Sequence, residues 1–389
     1  MINMTHPPPD KIKPRILISG HLPPPMGGIA TYYQSLLNSS LPKQVDLLFV
    51  ETSSQKRVLS QTGTFSFSNL ISGIEDCVRF SKAVSKHRPQ VTHIATAFRL
   101  SFVKHSVCVL IARLAGSRVL LHHHCSLASL YTDQPRWWQW FFRLIIHLTN
   151  GVIALSSEWN QLNTIVPGCT VYYLPNAIDL TAYRAIALGR NVAAKNPPQL
   201  KVLYLGYLGN AKGSFDLIEA AKVISTKNIP AIFDLVGEEL ATGEGEQLKK
   251  QITQDGLGNI VTLHPVALGS KKIDFYREAD VFIYPSYSEG MPIAVIEAMA
   301  CGLPIIATRV GGLPDLVDDG FNGVLVDAGH ADQLVRAIQS LNSDPDLRFA
   351  MQLNSYQSAF DKYDMEKHVP RLVSIYNKAL TGASRRSGA

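Results

Sequence analysis

Cysteine is scarce and shows no paired spacing: Cys77, Cys108, Cys125, Cys169 and Cys301 are scattered, and no CxxC occurs. An odd, dispersed set excludes a disulfide framework or a structural zinc site as the basis of the fold, and it suits a reducing compartment. No apolar run reaches the ~18 residues of a membrane span. The opening MINMTHPPPDKIKPR has no apolar stretch of the kind a secretory signal carries. We therefore expect a cytoplasmic chain, peripheral at most to the inner face of a membrane. No GxGxxG follows either leading strand pattern, which argues against a dinucleotide-dependent oxidoreductase. Charged residues are 17% of the chain and hydrophobic residues 46%, a folded and not a disordered composition.

What is present repeats itself. Apolar runs at RILISG (15–20), VDLLFV (45–50), VTHIATA (91–97), SRVLLHHH (117–124) and GVIALS (151–156) are separated by helix-length segments. Runs of this kind read as parallel strands buried on both faces. The pattern restarts at KVLYLG (201–206) and continues through AIFDLVG, NIVTLHP, DVFIYPS, PIIAT and GVLVD (323–327). Between the series, LGRNVAAKNPPQ (188–199) is polar and unpatterned, so it reads as a linker. A chain of 389 residues exceeds one ordinary core. The expected class is α/β, with two Rossmann-like domains facing each other across a cleft.

Charge is unevenly shared. Residues 1–185 hold 17 Lys+Arg against 8 Asp+Glu, a balance of +9, whereas the remainder holds 20 against 23, a balance of −3. A basic N-terminal half suits an anionic membrane surface or a lipid-diphosphate acceptor; a solvated basic surface with no partner is the plainer reading. The segment RWWQWFFRLIIHL (136–148) raises the same choice between a membrane-facing amphipathic helix and a core helix of the first domain.

The stretch PSYSEGMPIAVIEAMACGLPIIATRVGGLPD (285–315) is the most informative. A strand ends near Pro285, a glycine turn follows, and Pro292 suits the first turn of a new helix. Such a helix N-terminus offers free N–H groups and a positive dipole end to a diphosphate. Glu289 precedes the helix and Glu297 lies inside it, roughly 8 Å along the axis from Pro292 at ~1.5 Å per residue. The pair could straddle a diphosphate, each carboxylate accepting from two hydroxyls. Taken alone, they could equally be a helix-start carboxylate and a surface glutamate.

The Glu289-x7-Glu297 spacing within SEGMPIAVIEAMACGLPIIAT resembles the signature of the retaining family 4 glycosyltransferases, which have the GT-B fold. GGIATYYQSLL (27–37), LHHHCSL (121–127), LPNAID (174–179) and AKGSFDLIEA (211–220) are similar to further family motifs. The resemblance implies an acceptor domain over 1–184, a nucleotide-sugar domain over 185–365, and a final helix within 366–389 that returns to the first domain. It implies transfer of a hexose from a nucleotide diphosphate sugar to a sugar or lipid-linked acceptor hydroxyl, with retention and no dedicated enzyme nucleophile. That chemistry belongs to cell-surface polysaccharide or glycolipid synthesis, with no cofactor, metal or nucleic acid.

Site roles follow from the same resemblance. Gly27 and Gly28 let the backbone approach the donor. Lys212 meets the diphosphate. Glu289 holds hydroxyls of the transferred sugar, and Glu297 those of the ribose. Backbone groups around Pro292, Ile293, Ala294 and Val295 complete the phosphate cradle, although Pro292 has no N–H to give. His124 is the histidine beside the donor sugar; a cleft histidine with no catalytic role is the alternative. His122 and His124 share a strand face, but no acidic cluster accompanies them as a metal site would require.

Several positions depart from the family. Tyr207 stands where many relatives carry an arginine, which removes a cation from the diphosphate. Arg309, after the PIIAT strand, is a candidate replacement or a surface residue. Cys125, Ala177 and Pro265 replace common glycines. A nucleotide-sugar epimerase of the same architecture and a non-catalytic relative are the rival readings.

Overall fold

The computed structural model describes residues 13–24, 27–52, 67–97, 99–190 and 197–382. The tail through residue 12 and the middle of the expected linker, 191–196, lie outside the described residues. The first sheet is built from β1 (Arg15–Gly20), β2 (Asp46–Glu51), β3 (Val91–Thr96), β4 (Arg118–His123), β5 (Gly151–Ala154) and β6 (Val171–Tyr173). All neighbours are parallel and the order is β2-β1-β3-β4-β5-β6. Only β6 was missed as a run, because three residues carry no readable period.

Alternation along each strand divides the core in two. Leu17, Ile94, Leu121 and Val152 face one layer, together with Phe80, Phe102 and Phe142 from the helices Phe67–His87, Arg99–Leu114 and Arg136–His147. Ile16, Ile18, Leu120 and Ile153 face the other, where the helices Gly28–Asn38 and Met365–Thr381 contribute Tyr32, Tyr33, Leu372 and Tyr376. The last helix of the chain thus completes the core of the first sheet.

The second sheet holds β7 (Leu200–Leu205), β8 (Ala231–Val236), β9 (Val261–His264), β10 (Val281–Tyr284), β11 (Ile305–Thr308) and β12 (Gly323–Val326). Its order is β12-β11-β10-β7-β8-β9, again all parallel. Strand order reverses between β7 and β10, so the crevice beyond their C-terminal ends is where an open α/β sheet binds its ligand. The helix Thr181–Gly189 spans the division drawn at 184/185, and its Tyr183 and Ile186 belong to the second core.

Candidate active site

Two loops leave the switch point. The loop after β7 ends in a tight turn, Asn210–Lys212, followed by Gly213 at φ +70°. A Cβ there would lie 2.1 Å from the Pro285 carbonyl oxygen at the end of β10, so backbone handedness and space both demand glycine. The consequence is that Lys212 is held against the neighbouring loop. Its Nζ donates to Glu289 Oε1 at 2.5 Å, with both side chains largely buried.

The loop after β10 leads to the helix Ile293–Ala300. Pro292 is its N-cap, one position earlier than expected, and no side chain caps the helix. The first N–H groups belong to Ile293, Ala294 and Val295, beside the pair formed by Lys212 and Glu289. Asn176, in the Pro-Asn turn, fixes the loop by donating from Nδ2 to the Met291 carbonyl at 2.8 Å.

The first domain closes over this loop. A Cβ on Gly290 would meet the His124 carbonyl oxygen at 2.6 Å and the Cys125 Cα at 3.1 Å. Gly28 faces the start of the donor-side helix, with its hypothetical Cβ 3.5 Å from Ile293. Gly27 has an extended backbone and open space where a side chain would stand. His124 leaves the end of β4 among Tyr32, Tyr33 and His122. Its Nε2 lies 3.4 Å from the Tyr33 hydroxyl, and its buried Nδ1 has no hydrogen-bond partner among the described residues. Burial and the neighbouring histidines hold its pKa well below the ordinary value, so the ring is neutral at neutral pH.

Glu297 is placed differently from a free ribose ligand. It is 2% exposed. Its Oε1 accepts from Tyr183 at 2.8 Å and from Lys272 at 2.5 Å, and its Oε2 accepts from Tyr276 at 2.9 Å. A ribose would have to share this carboxylate with three protein donors. Sequence reasoning missed Lys272, Tyr183, Tyr276 and Asn176; only the LPNAID motif signalled the last.

Of the departures, Tyr207 is half-buried, and its carbonyl accepts from the Tyr204 hydroxyl. Burial, with Glu238 nearby, pushes its phenol up. It brings no charge to the pair of loops. Arg309 does not replace the missing cation here: its guanidinium pairs with Asp319 at 2.6 Å and reaches the Leu325 carbonyl, at a half-exposed surface. Cys125 is buried and its thiol donates to the Ala97 carbonyl at 2.8 Å. Burial raises that thiol to about 12, which leaves it inert at neutral pH.

The comparisons with known proteins agree with this geometry. Residues 188–358 match the family described as Glycosyl transferases group 1. The chain is 31% identical over 219 residues to the D-inositol 3-phosphate glycosyltransferase of Arthrobacter sp. (strain FB24), covering 50% of this chain and 52% of that protein. It is 32% identical over 215 residues to the same-named protein of Pseudarthrobacter chlorophenolicus, covering 54% and 49%. The chain therefore spans about half the length of these curated relatives. Among solved structures, sucrose-phosphate synthase from Thermosynechococcus elongatus is similar with a TM-score of 0.72 at 19% identity, covering 95% of this chain and 100% of that one. Anabaena HepE in complex with UDP is similar with a TM-score of 0.72 at 19% identity, covering 94% and 100%. The matched segment contains both switch-point loops and the two sheets share the architecture of these structures, so the chain has the GT-B fold and its residues 188–358 match the glycosyl transferases group 1 family.

Proposed function

We propose that the chain is a retaining glycosyltransferase that moves a hexose from a nucleotide diphosphate sugar to an acceptor hydroxyl, in cell-surface polysaccharide or glycolipid assembly at the inner face of a membrane. The observation that carries this reading is the largely buried pair of Lys212 and Glu289 beside an uncapped helix N-terminus at the switch point. A donor diphosphate competes with Glu289 for Lys212. As it takes the ammonium, the carboxylate is released to accept from hydroxyls of the incoming sugar. The two groups thus hold each other neutral in the free site and separate onto the two halves of the donor.

Across the cleft, neutral His124 with its unpartnered Nδ1 is a hydrogen-bond partner for the sugar, and the bare Gly27–Gly28 backbone leaves room for it. In the transfer step the bond from the anomeric carbon to the β-phosphate oxygen breaks. The acceptor oxygen bonds to that carbon from the same face, and its proton passes to the departing phosphate oxygen. Lys212 and the helix N–H groups stabilise the charge that develops on that oxygen. HepE has been seen in complex with UDP and with UDP-glucose, which makes a uridine donor the first to test.

Thermal-shift measurements with a panel of nucleotide sugars test donor binding, since ligand binding to the folded state raises the melting temperature. Slow donor hydrolysis in the absence of acceptor, followed by NMR, then tests the reaction. Release of the α-configured sugar from an α-linked donor supports retention. Interconversion of the intact donor would replace this reading with an epimerase.

A further inference from the structure

The helices Phe67–His87, Arg99–Leu114 and Arg136–His147 bury one side against the first sheet, and each carries a second apolar stripe on its outer side. On the last of them Trp138, Phe142, Ile145 and Ile146 are buried, whereas Trp137 and Trp140 are 63% and 66% exposed, with Leu144 in line. On Arg99–Leu114 the outward residues are Leu100, Val103, Val107, Leu110 and Leu114, spaced by alternating steps of three and four, and Leu114 is 89% exposed. Ile71, Ile74 and Val78 repeat the spacing on the first helix. Isolated surface apolar residues need no explanation, but three helices on one sheet face, each with an exposed apolar stripe, form a surface of the kind that marks an interaction.

The charges around the patch are predominantly basic. The helices Arg99–Leu114 and Arg136–His147 contain no acidic residue. Arg79, Lys82, Lys86, Arg113, Arg136 and Arg143 are exposed on the three helices, and Glu75 is the one exposed carboxylate among their described residues. We propose that this three-helix face is a docking surface for an anionic lipid bilayer, with Trp137 and Trp140 seated at the headgroup level. Exposed indoles beside cations are the side chains that favour that level. A second copy fits less well, because a two-fold contact would set these arginines and lysines against their own images.

The placement also orients the cleft. Arg99–Leu114 follows β3 and Arg136–His147 follows the β4 end that carries His124, so both helices start at the cleft rim. A bilayer on their outer faces lies beside the mouth of the site, where a lipid-linked acceptor would present its head group. This rests on the acceptor class proposed above, whereas the docking surface itself does not.

The test mixes the full chain with vesicles of phosphatidylcholine alone or with phosphatidylglycerol added, at low and high salt, and reads co-sedimentation and tryptophan emission. Trp138 and Trp159 are buried, so a blue shift reports Trp137 and Trp140. We expect binding to the anionic vesicles that weakens with salt. The double substitution Trp137→Ser, Trp140→Ser should lower the partition by about tenfold or more while leaving the UDP-induced thermal shift intact. No vesicle binding, or equal binding by the variant, would overturn the proposal. So would a dimer that the same substitutions convert to monomer, since that would assign the face to a second copy. Vesicle binding without a thermal shift from any nucleotide sugar of the panel would uphold the docking surface and sink the donor site instead.

Discussion

Lys212 stands alone as the cation of the two switch-point loops, since Tyr207 is neutral and Arg309 is paired with Asp319. Its removal should therefore be felt almost entirely at the diphosphate. We expect Lys212→Ala to weaken UDP binding by about 1.5–3 kcal/mol, the worth of a charged hydrogen bond, with uridine affinity unchanged in titration calorimetry. Equal losses for nucleoside and diphosphate would make the lysine structural.

The buried histidines give a second, independent expectation. His93, His123 and His368 are held down to about 3 by burial. In the unfolded chain each takes up a proton near about 6.5. Between those values the unfolded state binds more protons, so stability is complete above pH 6.5 and falls as the pH drops. Each site costs about 2 kcal/mol by pH 5. His123 stacks on Trp159 at 4.4 Å, and neither ring nitrogen has a hydrogen-bond partner among the described residues. His123→Phe should therefore flatten the acid side of the melting-temperature profile between pH 5 and 7, and an unchanged slope would refute the assignment.

The loops and helix starts that frame the cleft contain glycines of two kinds, and substitution separates them. Gly213 is demanded by the fold, through its left-handed backbone and the Pro285 carbonyl behind it. Gly27 is not: its backbone is extended and, among the described residues, no atom lies within 4 Å of a hypothetical Cβ. If that open space is where the donor lies, Gly27→Ala should keep the wild-type melting temperature and lose donor affinity or turnover. A variant with full activity would show that the space is not used. The helix Arg136–His147 makes a related point about patterns. Its sequence carries two apolar faces in one element, a core face with Trp138 and Phe142 and an exposed outer face with Trp137 and Trp140.

Among the contacts between the two domains, Gly290 packs under the backbone of His124 and Cys125, where a side chain would not fit. An alanine at 290 would press on a carbonyl oxygen 2.6 Å away, and parting the domains relieves that more cheaply than deforming either sheet. Gly290→Ala should then leave UDP affinity within about twofold, lower the transfer rate, and enlarge the radius of gyration measured by small-angle scattering with UDP present. A variant as compact and as fast as the wild type would show that closure does not pass through this contact.

The period of apolar residues is a property of neighbours in the chain, and it located eleven of the twelve strands among the described residues, whereas the Lys-Gly and Glu motifs were legible through the family resemblance. The helix start after Pro292 was readable from local residue chemistry, although the cap fell one residue off. Sheet order is not a local property. It brings Lys212 to Glu289 across 77 residues and Tyr183 to Glu297 across 114. No spacing rule could have found Lys272 and Tyr276 around Glu297, because the burial that makes them its partners comes from packing. Nor could periodicity say which stripe of a doubly apolar helix faces inward. That is decided by which stripe meets the sheet, and the sheet is assembled from strands far apart in the chain.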